Sequence, residues 1–392
     1  ALTIFNQTIT DNQRDDGLFQ TYNLLKTESE QTSISPLYPM LEGQVAILSA
    51  KTLTPLESIK VLDALFLSDI YRPDQDTFML YPDRALTDFL DKNRFSAASA
   101  ADDDLIQKML AAEDQRLLIK DPNGDLRFHP DCTNIDALTE RLNSVIKDYA
   151  LEQPQSALDA MQNRFESVFN HHAFTGRSGG MFGFEGLGCI YWHMVAKLLL
   201  AVQETYFSAV DEGADIDLLR QLANHYYRVR AGFGFNKSPQ DFGAFPTDPY
   251  SHTPKHAGAQ QPGMTGQVKE EVLTRFGELG LRIQNGQVTF DPRLLMRTAF
   301  SDQAMTFEYL STTDQWQTLK LPINALGFTW CQVPIVYELT DHEFSIDVTD
   351  SDGRVVTITG QTLPGPVSDR LISRANAIIQ LKVLVPHGAL LS

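Results

Sequence analysis

Two segments of the chain concentrate the residue types that carry out chemistry. The first, residues 171–188, has five glycines between positions 176 and 186, with Arg177 and Glu185 among them. Glycines let a backbone approach a ligand closely, arginine offers a planar fork of donors, and a carboxylate is favoured at a helix start. We therefore predict that Glu185 is a catalytic carboxylate and that Arg177 binds hydroxyls or an anion. A plain helix-terminal carboxylate and a structural ion pair are the alternative interpretations.

The second segment, residues 233–271, has over thirty residues with almost no helical or strand periodicity. Loops of this length are usually functional or disordered, and five aromatic residues between 233 and 250 favour a functional loop. Aromatic rings beside Asp, His, Gln, Ser and Thr are typical of a sugar site, because the rings stack and the polar groups bind hydroxyls. Asp248 is the predicted second catalytic carboxylate, with a turn-forming role before Pro249 as its alternative.

The remaining predicted site residues bind substrate, and Trp192 or Phe245 supplies a stacking face. For the two histidines among them, a structural role is the alternative. Together with Arg177, the predicted substrate-binding residues are Trp192, Phe245, Tyr250, His252, His256, Gln260 and Thr265.

Neither segment matches a cofactor or metal motif. The glycines at 183, 186 and 188 lack the dinucleotide-binding spacing, and no strand precedes them. His171 and His172 have no histidine or carboxylate partner at ligand spacing, and no Asp-rich loop has the EF-hand spacing. We predict no cofactor and no metal, while inorganic phosphate stays open as a co-substrate.

The composition is that of an acidic, folded protein. Of 392 residues, 43% are hydrophobic and 21% charged, and 32 basic against 50 acidic side chains give a net charge of −18. Such a chain repels phosphate backbones and anionic membrane surfaces, so we expect neither nucleic acid nor a membrane as partner. The expected partner is an oligosaccharide substrate.

Cysteine usage and the start of the sequence predict a cytoplasmic protein, with a low-cysteine secreted enzyme as the alternative. The three cysteines lie far apart and form neither a disulfide framework nor a zinc motif. The first ten residues have no basic, apolar leader, and the apolar stretch 190–202 is interrupted by His193 and Lys197. The missing initiator methionine suggests a processed or truncated product.

The elements that must position these residues change character near residue 280. Before it, apolar residues recur at helical spacing and long loops are predicted at 69–83 and 121–133. Thr54-Pro55-Leu56-Glu57 is a helix start signal. The predicted helices span 37–50, 56–67, 84–90, 104–112, 135–149, 156–169, 184–206, 216–230 and 267–279.

After residue 280, short strands alternate with turns. Asn285-Gly286 and Asp352-Gly353 are hairpin turn signals. The sequence therefore predicts an α+β protein, with an α-helical (α/α)-barrel-like domain at 1–280 and a small all-β sandwich at 281–392. The predicted strands span 281–283, 287–290, 306–310, 316–321, 325–332, 335–339, 344–348, 354–360 and 377–385.

Several motifs resemble six-hairpin glycosidase proteins. Residues 184–188, 191–194 and 243–254 resemble the C-terminal portion of large uncharacterised bacterial six-hairpin glycosidase-like proteins. Residues 265–267, 277–282 and 288–292 are distantly similar to glycoside phosphorylases of the cellobiose phosphorylase type. There, a Thr-Gly pair opens the last helix of an (α/α)6 barrel and a β-sandwich follows. The resemblance implies a carbohydrate substrate, an inverting displacement and a carboxylic general acid.

The chain also departs from the phosphorylases. Gln267 stands where they have a serine of the phosphate site, and their acid in a Trp-Asn-Asp context has no counterpart. About nine helices are predicted where a closed six-hairpin barrel needs twelve. We therefore expect the C-terminal part of a larger glycoside hydrolase or phosphorylase, partnered by the upstream part of its own polypeptide. The alternatives are a non-catalytic carbohydrate-binding or structural module and an interaction scaffold that uses the acidic helical surface.

Overall fold

The chain folds into two compact units. The computed structural model describes residues 2–27, 31–82, 89–151, 153–169, 190–233 and 265–391. One unit comprises Ala1–Asp83 with Gly186–Ser392, and the other is Arg84–Glu185. We call them the discontinuous unit and the inserted unit. The change from helices to strands near residue 280 lies inside the discontinuous unit, and the division into 1–280 and 281–392 stays a prediction.

Helices dominate the described chain before residue 280, as the periodicity predicts. They are α1 (Leu2–Asp11), α2 (Leu41–Ser49), α3 (Pro55–Leu67), α4 (Phe89–Lys92), α5 (Asp104–Ala111), α6 (Ile135–Tyr149), α7 (Pro154–Phe169), α8 (Trp192–Asp211), α9 (Ile216–Ala231) and α10 (Thr265–Glu278). One further helix, α11 (Gly365–Ile372), lies after residue 280, so the prediction that residues 281–392 are all-β is wrong at this point.

Local chemistry explains where α3 begins. The Thr54 side chain accepts a hydrogen bond from the Glu57 backbone, and the Glu57 carboxylate accepts one from the Thr54 backbone at 2.8 Å. Pro55 occupies the first turn, where its missing N–H costs nothing. This reciprocal capping box confirms the start signal in the sequence.

Helix α8 forms the centre of the helical core in the discontinuous unit. It packs against α2, α3, α9 and α10. Most of its residues are buried. Leu198, Leu199 and Val202 among them are fully enclosed. A helix that is apolar on most of its surface is stable only when other elements cover it.

The described strands form one five-stranded sheet and five two-stranded ribbons. They are β1 (Asn23–Thr27), β2 (Thr32–Pro36), β3 (Tyr71–Arg72), β4 (Thr77–Phe78), β5 (Leu118–Lys120), β6 (Leu126–Phe128), β7 (Leu281–Gln284), β8 (Gln287–Phe290), β9 (Met305–Leu310), β10 (Trp316–Leu321), β11 (Ala325–Trp330), β12 (Val333–Thr340), β13 (Ser345–Asp350), β14 (Val355–Thr359) and β15 (Ile378–Pro386).

The large sheet has the order β11-β12-β15-β13-β14, and only its β12–β15 pairing is parallel. Its core includes Phe290 and Tyr337, both fully buried. The Tyr337 hydroxyl donates to the carbonyl of Leu279 at 2.5 Å, which links the sheet to the end of α10.

Both predicted hairpins are present. Strands β7 and β8 pair across Asn285 and Gly286, whose φ angles of 50° and 75° match a type I′ turn. Strands β13 and β14 pair across the turn that contains Gly353.

The inserted unit has its own apolar core. It contains α4–α7 and the β5–β6 ribbon. Phe128 on β6 and Phe165 on α7 are both buried, with ring centroids 4.9 Å apart. A separate core is what allows a stretch of chain to fold as a unit.

Some elements differ from the predictions. The predicted loop 69–83 contains the β3–β4 ribbon, and the predicted loop 121–133 contains β6. Strands of two or three residues are too short to show an alternating pattern, so they read as loops. The α+β class is confirmed, while the six-hairpin barrel and the sandwich stay predictions. Within the described residues, none of the helices has the length and apolarity needed to cross a membrane.

Candidate functional site

Most predicted site residues lie outside the described residues. The predicted catalytic carboxylates Glu185 and Asp248 are among them. The others are Arg177, Phe245, Tyr250, His252, His256 and Gln260. Thr265 opens α10, but its side chain is not described. The roles of all these residues stay predictions.

Trp192 is the one predicted site residue whose side chain is described. It begins α8, is 1% exposed and belongs to the helical core. Its ring lies 5.5 Å from that of Phe233, centroid to centroid. Its role as a ligand-stacking face stays a prediction.

The two chemistry-rich segments lie between described helices. The first segment follows α7 and leads into α8, and the second follows α9 and includes the first residues of α10. A partly buried polar cluster lies between α8, α9 and α10. This α8–α10 cluster consists of Gln203 on α8, Tyr226 and Arg230 on α9, and Glu271, Thr274 and Glu278 on α10.

Glu278 is the hub of the α8–α10 cluster. It is 1% exposed, and its carboxylate accepts from Tyr226 Oη at 2.8 Å, Arg230 Nε at 2.7 Å and Arg275 Nη1 at 2.5 Å. A buried carboxylate is tolerated when donors surround it. Because donors from α9 and α10 both bind its carboxylate, Glu278 joins the two helices.

Gln203 and two glycines set the spacing around α10. The Gln203 amide donates to the carbonyl of Thr274 at 2.7 Å. A Cβ on Gly277 would lie 2.0 Å from Gln203 Oε1, and a Cβ on Gly280 would lie 2.1 Å from the carbonyl carbon of Asp291. Gly280 also has φ +74°, which favours glycine. The glycines of the 277–282 motif are therefore required by packing.

Arg230 and Glu271 retain unused hydrogen-bonding capacity. Arg230 Nη1 and Glu271 Oε1 are buried and have no hydrogen-bond partner within the described part of the chain. The Nη1 atom lies 3.8 Å from Glu271 Oε2, too far for a hydrogen bond.

The cluster also shifts the pKa values of this pair. Burial raises the pKa of Glu271, Arg230 lowers it and Glu278 raises it, with a net rise. Burial would lower the pKa of Arg230, but Tyr226, Glu278 and Glu271 outweigh burial and raise it. With its pKa raised, Glu271 holds its proton to a higher pH than an ordinary glutamate does.

Glu270 lies next to Glu271 but faces other partners. It is 2% exposed, and its Oε1 lies 3.6 Å from His193 Nε2 and 3.3 Å from Lys269 Nζ. Neither Glu270 Oε2 nor His193 Nε2 has a hydrogen-bond partner among the described residues. The first two turns of α10 thus carry the buried Glu270 and the half-buried Glu271, each with one enclosed oxygen that has no hydrogen-bond partner among the described residues.

Sequence reasoning missed Arg230, Glu270 and Glu271. One available signal was the polar stripe of Glu271, Thr274 and Glu278, which stand at i, i+3 and i+7 on one helix face. Charged residues at this spacing usually face solvent. The sequence therefore does not show that this stripe packs against α8 and α9, which only the structure reveals. The described residues contain no group of three or more His, Cys, Asp or Glu side chains arranged to hold a metal ion.

Part of the chain matches a known family model. A family model described as GH149 phosphorylase insertion domain 2 matches residues 86–172. The matched stretch covers less than a quarter of the 392 residues and falls inside the inserted unit, Arg84–Glu185. No curated protein matches the chain. The match supports a relationship to glycoside phosphorylases and thus a phosphorylase-like, carbohydrate-active protein.

Proposed function

We propose that this chain belongs to an enzyme that cleaves a glycosidic bond of an oligosaccharide with inorganic phosphate. The observation that carries the proposal is the match of residues 86–172 to an insertion domain of a phosphorylase. The matched region nearly coincides with a compact unit that has its own core, as an inserted domain should.

In the proposed reaction, a carboxylic acid protonates the glycosidic oxygen as that oxygen leaves. A phosphate oxygen attacks the anomeric carbon from the opposite face, so the configuration inverts and a sugar phosphate is released. Glu185 is the proposed acid. If water attacks instead, a second carboxylate must activate it from about 6.5–9.5 Å away, and Asp248 is proposed for that role. Phosphate would then be unnecessary.

The α8–α10 cluster supports this proposal as a scaffold. Its side chains hold α8, α9 and α10 against one another, and the segments with Glu185 and Asp248 are joined to these helices in sequence. Rigid positioning of reacting groups accounts for a large part of an enzyme's rate acceleration. Arg230 and Arg275 are balanced by Glu271 and Glu278, so the cluster is better suited to a hydroxyl than to phosphate.

A second candidate is a non-catalytic carbohydrate-binding module. It is favoured by the fact that the matched region is an insertion domain, which need not contain the reacting groups. The enzyme should release product from an oligosaccharide, whereas the non-catalytic module should bind it unchanged.

The experiment is a panel of oligosaccharides incubated with the protein, with and without inorganic phosphate. Phosphate-dependent release of a sugar phosphate supports the proposal. Phosphate-independent release identifies a hydrolase, and binding without turnover identifies the non-catalytic module.

A matched pair of variants tests the proposed acid. Glu185→Gln removes the acid and should abolish turnover while sugar binding persists. Glu343→Gln makes the same change at an exposed position and should leave turnover intact. Equal activity of the two variants would reject Glu185 as the acid.

A further inference from the structure

A buried histidine lies where helices α3 and α9 of the discontinuous unit pack together. His225 on α9 is 5% exposed, and its ring stacks on that of Phe66 on α3, with centroids 5.8 Å apart and planes inclined by 25°. The two helices are in direct contact, and both contribute side chains to the helical core. Because histidine titrates close to neutral pH, the charge state of His225 bears directly on this interface.

The surroundings of the His225 ring favour its neutral form. Its Nδ1 atom is buried and has no hydrogen-bond partner within the described part of the chain. A neutral ring can carry its single proton on Nε2 and leave Nδ1 without one, whereas a protonated ring has an N–H at both positions. Protonation would therefore enclose an N–H that has no acceptor, which is unfavourable, above all in a charged group.

The charged groups that act on His225 come from both helices of the interface. Nε2 lies 3.0 Å from Oδ1 of Asp63 on α3, which favours protonation, but the Asp63 side chain is 59% exposed and water screens its charge. Arg228 on α9, whose guanidinium carbon lies 3.6 Å from the centre of the Phe66 ring, disfavours protonation. Burial lowers the pKa of His225 most, Asp63 raises it and Arg228 lowers it, with a net lowering.

We propose that His225 is a pH switch between α3 and α9: the neutral ring holds the two helices together, and protonation of the ring on acidification loosens their packing. The same part of α9 carries Tyr226 and Arg230, which bind Glu278, so the loosening extends to the α8–α10 cluster. The proposal goes beyond the phosphorolysis proposed above and does not depend on it.

The switch acts in one direction. At a pH above the pKa of this histidine in the unfolded chain, the ring is neutral in both states and the contact contributes its full stability. As the pH falls through that value towards the lower pKa of the folded state, the unfolded chain takes up the proton first. The protein therefore loses stability on acidification over this range.

The first test is an NMR titration of the protein with isotope-labelled histidine, between about pH 8 and about pH 5.5, both folded and unfolded in urea. The resonance that is absent from His225→Gln belongs to His225, and its midpoint should be lower in the folded protein than in the unfolded chain. Asp63→Asn should lower the folded midpoint further, and Arg228→Gln should raise it. A folded midpoint at or above the unfolded one, or shifts in the opposite directions, would overturn the proposal.

The second test locates the loosening by amide hydrogen exchange in α9. Wild type and His225→Gln are compared at equal pH, so that the intrinsic exchange rates cancel. The wild-type rate relative to the variant rate should rise severalfold as the pH falls, whereas the rate relative to the control His342→Gln, changed at an exposed histidine, should stay constant. A ratio to His225→Gln that is independent of pH, or an equal rise with both variants, would refute the switch. If His225→Gln does not fold, the histidine whose midpoint responds to both charge variants is His225, and its midpoint decides the question.

Discussion

The contact between Gly277 and Gln203 makes a quantitative prediction for the variant Gly277→Ala. A Cβ at position 277 would lie 2.0 Å from Oε1, 2.3 Å from Cδ and 2.6 Å from Nε2 of Gln203. The glutamine is 4% exposed and its amide donates to the carbonyl of Thr274 at 2.7 Å. The amide must therefore move, and it has no solvent to move into.

The change in the free energy of unfolding on Gly277→Ala has three contributions. Leaving the amide buried without its partner costs about 1–3 kcal/mol, and overpacking the core costs about 1–3 kcal/mol. Alanine is favoured over glycine inside a helix by about 1 kcal/mol. Gly277→Ala should therefore lower the free energy of unfolding by about 1–5 kcal/mol.

The assay is urea denaturation of a double-mutant cycle, followed by circular dichroism. In a Gln203→Ala background the clash is absent, so Gly277→Ala should be neutral or stabilising by up to about 1 kcal/mol. Gly365→Ala, where no atom lies within 4 Å of the added Cβ, is the control and should change little. Equal destabilisation by Gly277→Ala in both backgrounds would refute the reasoning.

Three further predictions concern single side chains. Tyr226→Phe deprives the buried Glu278 of one of its three donors, so we expect a loss of about 1–3 kcal/mol in urea denaturation; no loss would mean that the bond contributes nothing. Thr54→Ala removes the cap of α3 and should cost about 1 kcal/mol in the same assay, and a neutral result would contradict the capping box. Because folding raises the pKa of Glu271, the wild-type protein loses stability from this group as pH rises from the unfolded pKa through the folded one. Glu271→Gln does not titrate, so its stability relative to wild type should increase over that range, and a pH-independent difference between their melting temperatures would refute the shift.

The sequence predicted correctly those elements that are determined by residues close together in the chain. Thr54, Pro55 and Glu57 act within one helical turn, so the start of α3 could be read from four residues. The Asn285-Gly286 hairpin is equally local, because the turn residues alone set its geometry.

Features that depend on contacts between residues far apart in the chain could not be predicted from local patterns. Burial of Glu278 depends on Tyr226, 52 residues earlier in the chain, and that of Thr274 on Gln203, 71 residues earlier. The sequence analysis also did not predict the inserted unit as a separate unit. Its helices are amphipathic, with the same hydrophobic spacing as the helices before and after it. A boundary shows in the sequence only when composition changes across it.

For the glycines of the 277–282 motif, the sequence did not reveal the physical reason for their presence. The sequence attracted attention to Gly277 and Gly280 through a resemblance to phosphorylases. The structure supplies the physical reason, which is close packing against Gln203 and Asp291. The resemblance at residues 277–282 stays a prediction, and the structure shows that its glycines are needed for packing.

The measurement that tests the central claim most directly is phosphorus NMR of the protein incubated with oligosaccharides and inorganic phosphate. The account predicts that the phosphate resonance declines and a sugar phosphate resonance appears at the same rate as the shortened oligosaccharide. Glu185→Gln should remove both changes. An unchanged phosphate resonance, with sugar release that is equally fast when phosphate is left out, would contradict phosphorolysis.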